Sequence, residues 1–416
     1  MRRRAFLAAL AAAPLAHAAA APEASARNNV EDFDALWRAV DGGYAYFEGS
    51  RIAWKRAREL WRPKARAART RPELLLVLEG ALAHLCDDAA RLGESLPASP
   101  RQVPSETDLW AEWKGADATI TAVKAFSEAD VAGLQPGHVV THVNGLPIGN
   151  LVRDRLLPLG ATGPAASAWA LRKVLAGPRM GAFRLSLRAP DGPAKIAVER
   201  GAKDAANGPP LIARRMGEER DLGYIRIRNV LGDPGLVPRF DAALFYLLDT
   251  RALILDLRET PDGGSRIVCE SLLGYFAENE GPWQLREGIG RARAPDVVKP
   301  ASDRYRGAVV VLVDRWTAGE AEAFAMGLEA TARAVLVGTP MAGLHGEARV
   351  MTLPHSRVVA RFPAERTFHV NGTPRELIRP AVEVDLASPS GGPGDPILYQ
   401  GLKTASSAPA GRNAPR

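Results

Sequence analysis

Cysteine is almost absent from this 416-residue chain, which carries only Cys86 and Cys269. Two thiols so far apart in sequence exclude a disulfide-built scaffold and are read as buried free thiols. His and Cys nowhere fall at metal-ligand spacing, so neither a zinc site nor any other cofactor is expected. Long apolar runs are missing as well. Past the N-terminus no segment approaches the roughly 20 apolar residues that a membrane span needs.

The N-terminus itself is distinctive. Arg2, Arg3 and Arg4 precede Ala5-Phe6-Leu7 and an Ala/Leu run that closes on Ala16-His17-Ala18. A charged start, a short apolar stretch and an A-x-A site describe an export signal over residues 1–20, of the twin-arginine type, so a periplasmic or secreted location is expected. Part of the formal net charge of +7 lies in this signal and at the opposite terminus. A denser basic run extends from Arg51 to Arg71, and nucleic acid is not an expected partner of an exported chain. That run is read as a solvated helix face, with contact to an anionic membrane surface as the alternative.

Residues 28–95 read as a helical cap. Phe33, Leu36, Trp37 and Val40 have helical spacing, as do Leu74, Leu75, Leu78, Leu82 and Leu85, with Pro63 and Thr70-Arg71-Pro72 punctuating the run. A linker holding Pro97, Pro100 and Pro104 follows. Residues 106–202 then combine an alternating strand at Thr119–Val123, a short capped helix near Ser127, and glycines 133, 137 and 145 at turns. This A-G-L-x-x-G-x-x-V pattern resembles a PDZ domain, interrupted by a helical insert from Leu151 to about Leu175. Such domains bind peptides by adding a strand to a sheet edge. Here Gly115, Ile120, Thr121 and Val123 are the candidate peptide-binding residues. Residues 220–386 alternate strands and helices, and 387–416, rich in Pro, Gly, Ser and Ala, read as a disordered tail.

The segment Asp314-Arg315-Trp316-Thr317-Ala318-Gly319-Glu320-Ala321-Glu322, between a strand at Val309–Val313 and a helical stripe of Ala321, Phe324, Ala325 and Leu328, resembles the nucleophile segment of the S41 peptidases, the tail-specific or C-terminal-processing proteases. Other matched segments are Gly223–Ile227, the turn Asp256-Leu257-Arg258-Glu259-Thr260-Pro261-Asp262-Gly263-Gly264, Val337-Gly338-Thr339, and Asn371-Gly372 through Glu376 to Pro380. The resemblance spans nearly the whole chain in the family's order of cap, PDZ and core. It implies an α/β fold with a ClpP/crotonase-like core, peptides or unfolded protein segments as partners, and backbone N–H groups at Gly263 and Gly264 facing an oxyanion.

On this alignment Gly319 holds the place of the attacking serine. The family's base is either a lysine, whose place falls on Leu344, or a histidine of an L-x-D-x-H segment, whose place in Leu85-Cys86-Asp87-Asp88-Ala89 falls on Ala89. A peptidase of this type needs an oxygen nucleophile paired with a base. The expectation is therefore a pseudoprotease that binds chains without cutting them. The alternative is an active serine-type or threonine-type peptidase with a rearranged site, using Thr317 as nucleophile or His345 as base. Glu320 and Glu322, at i and i+2, do not share a helix face and are not expected to work as a pair.

Overall fold

A computed structural model describes residues 22–47, 51–189, 192–200, 209–228, 231–388 and 394–409. The expected export signal lies outside them. Three helices open the described chain: α1 (Pro22–Gly43), α2 (Arg51–Ala67) and α3 (Arg71–Leu82). Thr70 caps α3 by accepting the Glu73 N–H at 3.3 Å, with Pro72 in the first turn where a missing N–H is harmless. Pro63 does not punctuate the cap as expected, because α2 runs through it. The tertiary packing of Trp54, Ala57 and Ala65 against the neighbouring helices outweighs the one hydrogen bond proline removes. The basic face of α2 is mainly exposed, although Arg62 grips Asp34 through two 2.8 Å bonds and Arg58 lies over Trp37.

After the short strand β1 (Arg91–Leu92) comes a β module. Its elements are β2 (Leu109–Lys114), β3 (Asp117–Val123), α4 (Glu128–Val131), β4 (Val139–Val143), β5 (Leu146–Pro147), α5 (Ile148–Leu156), α6 (Pro164–Ala176), β6 (Gly181–Ala189) and β7 (Gly192–Arg200). The sheet runs β2-β3-β4-β6-β7, with β5 on β4. Helices α5 and α6 occupy the stretch where a helical insert was expected, and α6 packs beside β2.

The rest is the α/β core: β8 (Leu211–Met216), β9 (Leu222–Ile227), α7 (Leu236–Phe245), β10 (Ala252–Asp256), α8 (Arg266–Gly274), β11 (Gly281–Gly288), β12 (Ala294–Val298), β13 (Ala308–Val313), α9 (Glu320–Ala332), β14 (Val335–Gly338), β15 (Glu347–Thr352), β16 (Val359–Phe368), β17 (Val382–Glu383) and α10 (Pro396–Ser407). One sheet runs β17-β14-β13-β10-β9-β8, parallel except for β8. Ala252–Asp256 is buried throughout, as suits a parallel strand covered on both faces. Helices α7, α8 and α9 cover one face. A second, antiparallel sheet, β1-β16-β11-β12 with β15 on β16, joins the cap to the core.

The tail departs from expectation. Asp395 caps α10 by accepting the Leu398 N–H at 3.0 Å, Pro396 opens it, and Ile397 and Ala405 pack on the other face of the parallel sheet against Ile254, Val310 and Leu312. This helix is short in polar periodicity but supplies the apolar cover without which that face would be open to water.

Candidate active site and peptide groove

Strand β13 ends at Val313, and the chain turns through Asp314, Thr317 and Ala318 to Gly319, the cap residue of α9. Three bonds fix this turn. Trp316 donates its indole N–H to the Thr107 carbonyl at 2.8 Å, Arg315 forms an ion pair with Glu112 of β2, and the Arg315 guanidinium also reaches the Met341 carbonyl at 3.2 Å. The turn is thus tied to the β module. Burial, helped by nearby Glu259, pushes the Asp314 carboxyl up to about 6.

Gly319 has φ of +61°, a conformation that glycine adopts without strain. Its N–H donates to Glu322 Oε2 at 3.0 Å. A Cβ added here would press into the Asp262 carboxylate, and it would lie 3.3 Å from the Gly263 nitrogen. Asp262 is itself held by an ion pair with Arg91 of β1. The space in which a serine side chain would stand is therefore filled by a carboxylate from the Gly-Gly turn. Gly263 and Gly264 both have φ of +127°. Gly263 borders the Gly319 position, whereas a Cβ on Gly264 would strike the Glu320 side chain, so close packing by itself requires glycine there.

Ala89, Leu344 and Ala318 pack together as one buried apolar cluster. The two positions expected to correspond to alternative bases, 89 from the cap and 344 from the core, thus meet beside the Asp314–Gly319 turn although they lie 255 positions apart. None of these side chains can accept a proton.

Thr317, the proposed substitute nucleophile, is fully buried. Its hydroxyl lies 3.0 Å from the Leu257 carbonyl and 3.2 Å from Asp314 Oδ1, and it accepts the Asp314 N–H at 3.0 Å. It is a turn-building residue and not an available nucleophile. His345 differs. Its Nδ1 lies 2.9 Å from Asp87 Oδ2, and its ring stacks on Tyr46 at a centroid distance of 4.1 Å. Asp87 also takes the Tyr44 hydroxyl at 2.8 Å and the Ala89 N–H at 2.8 Å. Burial works to lower the His345 pKa, but Asp87 outweighs it and the net shift is upward.

Glu320 and Glu322 do not face each other. Glu322 is wholly buried and accepts the N–H groups of Gly319, Gly343 and Leu344 at 3.0, 2.8 and 3.2 Å. Burial lifts its carboxyl to about 7, against the pull of Arg375. It ties the nucleophile turn to the loop before β15. Glu320 instead approaches Cys269. Both cysteines are free.

A groove of about 820 Å³ opens between β2, α6 and the core loops, with Trp110, Gly115, Ser167, Ala168, Glu322 and Ile378 on its walls. The expected receiving strand is corrected by this geometry. Gly115 lines the groove, but Ile120, Thr121 and Val123 belong to β3, which is paired with β2 on one side and β4 on the other. Ile120 is fully buried in the module's core. The edge strand beside the groove is β2. Sequence reasoning missed Asp262 and Arg91, and it missed Arg172 and Arg315, whose guanidinia both lie 5.2 Å from the Trp110 ring at the groove wall. The only signal in the sequence was the acidic residue just before Gly263.

Residues 221–384 match the sequence profile of Peptidase family S41, and residues 25–83 match that of the Tricorn protease C1 domain. Among solved structures, the chain is similar to the photosystem II D1 C-terminal processing protease, at 17% identity and a TM-score of 0.54, covering 86% of this chain and 94% of that one. It is similar to mature CPAF complexed with lactacystin, at 15% identity and a TM-score of 0.59 over 92% and 97% of the two chains. A lipoprotein from Streptococcus agalactiae aligns at 12% identity and a TM-score of 0.52 over 92% and 97%. Cap, β module and core together give this chain the mixed α/β fold of the S41 peptidases, with the family's sequence profile on its core.

Proposed function

We propose that this protein is an exported pseudoprotease, an S41-peptidase-like chain that holds peptide or unfolded protein segments in the groove beside β2 and does not cleave them. The observation that carries this reading is the filling of the site. Asp262 stands against Gly319, and Ala89, Leu344 and Ala318 close the base's place with apolar packing. A site without nucleophile and base keeps at most its oxyanion and binding contributions. The groove supports binding, because β2 is an unpaired edge and the β module, read as PDZ-like, captures extended chains by strand addition. The signal at residues 1–20 directs the protein out of the cytoplasm.

The test uses the full chain from about Ala19 onward. Unfolded casein-like protein and peptides with apolar C-termini should be bound but not hydrolysed above a heat-killed control. One observation favours the second reading, an active peptidase with a rearranged site, namely the imidazole of His345 held on Asp87. Turnover that survives repurification and disappears in His345→Ala would establish that reading in place of the first.

A further inference from the structure

Where the helical cap meets the β module, two adjoining cavities of about 690 and 250 Å³ share no wall residue with the peptide groove, although α6 borders all three. Arg155 near the end of α5 and Trp169 of α6 border both. The larger cavity is mainly apolar, walled by Trp61, Leu151, Leu159 and Phe183, and Leu146, 55% exposed, stands at its mouth.

Two donors here lack acceptors. Trp169 is 3% exposed, and its indole N–H meets no hydrogen-bond partner among the described residues. Buried polar groups are nearly always paired, so such an orphan calls for an explanation. Arg155 is half-buried and likewise makes no hydrogen bond or ion pair among the described residues. Burial lowers its pKa, and no carboxylate offsets the effect. Other cations on these walls are matched: Lys173 with Asp88 at 2.9 Å, Arg101 with Asp108 at 2.9 Å, and Arg91 with Asp262. Lys64 sits exposed at the rim over Trp61. The carboxylates are also engaged: Asp87 by His345 and Tyr44, Glu79 by the Ser99 hydroxyl, and Asp154 by Arg153.

We propose that this is a binding site for an alkyl carboxylate, with its acid head taken by Arg155 and the Trp169 N–H and its chain laid in the larger cavity. A mostly apolar pocket with a few placed polar groups is the usual form of a small-molecule site. The anion would supply the counter-charge and the acceptor that these two side chains lack. The site is independent of the peptide groove and stands or falls apart from it.

Decanoate, kept below its micelle concentration, is titrated calorimetrically into the full chain. Saturable binding of one molecule per chain is expected, with a rise in Tm. Decyltrimethylammonium, which has the same tail and an opposite head, should not bind. Arg155→Met should weaken decanoate by roughly tenfold or more, since a buried charge pair loses one member. Without ligand that variant should be at least as heat-stable as the parent, because an uncompensated cation has been removed. Trp169→Phe, which keeps the ring but removes the donor, should weaken binding less. The proposal is overturned by an absence of saturable decanoate binding, by equal affinity for the ammonium amphiphile, or by Arg155→Met binding as tightly as the parent.

Discussion

The carboxylate of Asp262 stands where a side chain on Gly319 would begin, and Arg91 of the cap holds it there. Gly319 and Asp262 therefore form one unit, in which glycine at one position makes room for the acid at the other. A Gly319→Ser variant should be destabilised by about 1–3 kcal/mol, through the clash and through the left-handed backbone at that position. It should not react with a fluorophosphonate probe. Adding Asp262→Gly should relieve the clash but not the backbone strain, and it leaves Arg91 without its partner, so urea unfolding should show at most a partial recovery. Weak labelling should require a base as well, supplied by Ala89→His with Leu344→Ala to give it room. Strong labelling of the single Gly319→Ser variant would show that a base already serves this site, with His345 the first to test.

Thr317 should matter for folding alone. Its buried hydroxyl joins Leu257 and Asp314, so Thr317→Val leaves those groups without a partner at a cost of about 1–3 kcal/mol. Denaturant midpoints would measure this loss, while peptide capture at low temperature should match the parent. If Thr317→Val removed a catalytic turnover while stability held, the hydroxyl would have a chemical role that its burial argues against.

Peptide capture should depend on the groove and not on β3. Ala168→Trp places a large ring in the space between α6 and β2 and should reduce capture by roughly tenfold or more with the fold intact by circular dichroism. Ile120→Pro should instead unfold the β module, because proline there removes the N–H that donates to the His138 carbonyl at 2.8 Å within an internal strand. Unchanged capture by a folded Ala168→Trp variant would place the partner elsewhere on the surface.

Glu322 gives a pH dependence with a definite sign. Its folded pKa of about 7 lies above the ordinary 4.5, so the folded state binds the extra proton between those values. Stability must then fall as pH rises from about 4.5 to 7 and level off above, by an amount on the order of 3 kcal/mol at most for this group. Thermal unfolding at pH 5 and pH 7.5 should show the drop. Glu322→Gln, though less stable at pH 5 because its amide NH2 would face the Gly343 N–H, should show a smaller one.

The vacancies expected at positions 319, 89 and 344 were legible as an expectation because they follow from local spacing. Position 319 lies at a fixed distance from the end of β13 and from the apolar stripe of α9, and the structure brings Ala89 and Leu344 together beside it. Asp262 against Gly319 could not be read in the same way, since it depends on how two turns and a cap strand meet in space. The receiving strand was misplaced for a similar reason. Thr119–Val123 has the plainer alternation, but whether a strand lies at an edge is set by its neighbours, and β3 has two. In the tail, composition masked a local signal, the Asp395-Pro396 start followed by Ile397, Leu398 and Leu402, which was enough to specify α10.

That helix also bears on the order in which the chain is made. Helix α10 packs on β10, β13 and β14, its Gly401 so near Leu312 that a Cβ there would force the Leu312 side chain to shift, and Arg258 reaches back to Asp395 at 2.7 Å. During synthesis one face of the parallel sheet stays wet until residue 405 or so has left the ribosome. That face of the core therefore closes only once its last described helix is available, late in translation.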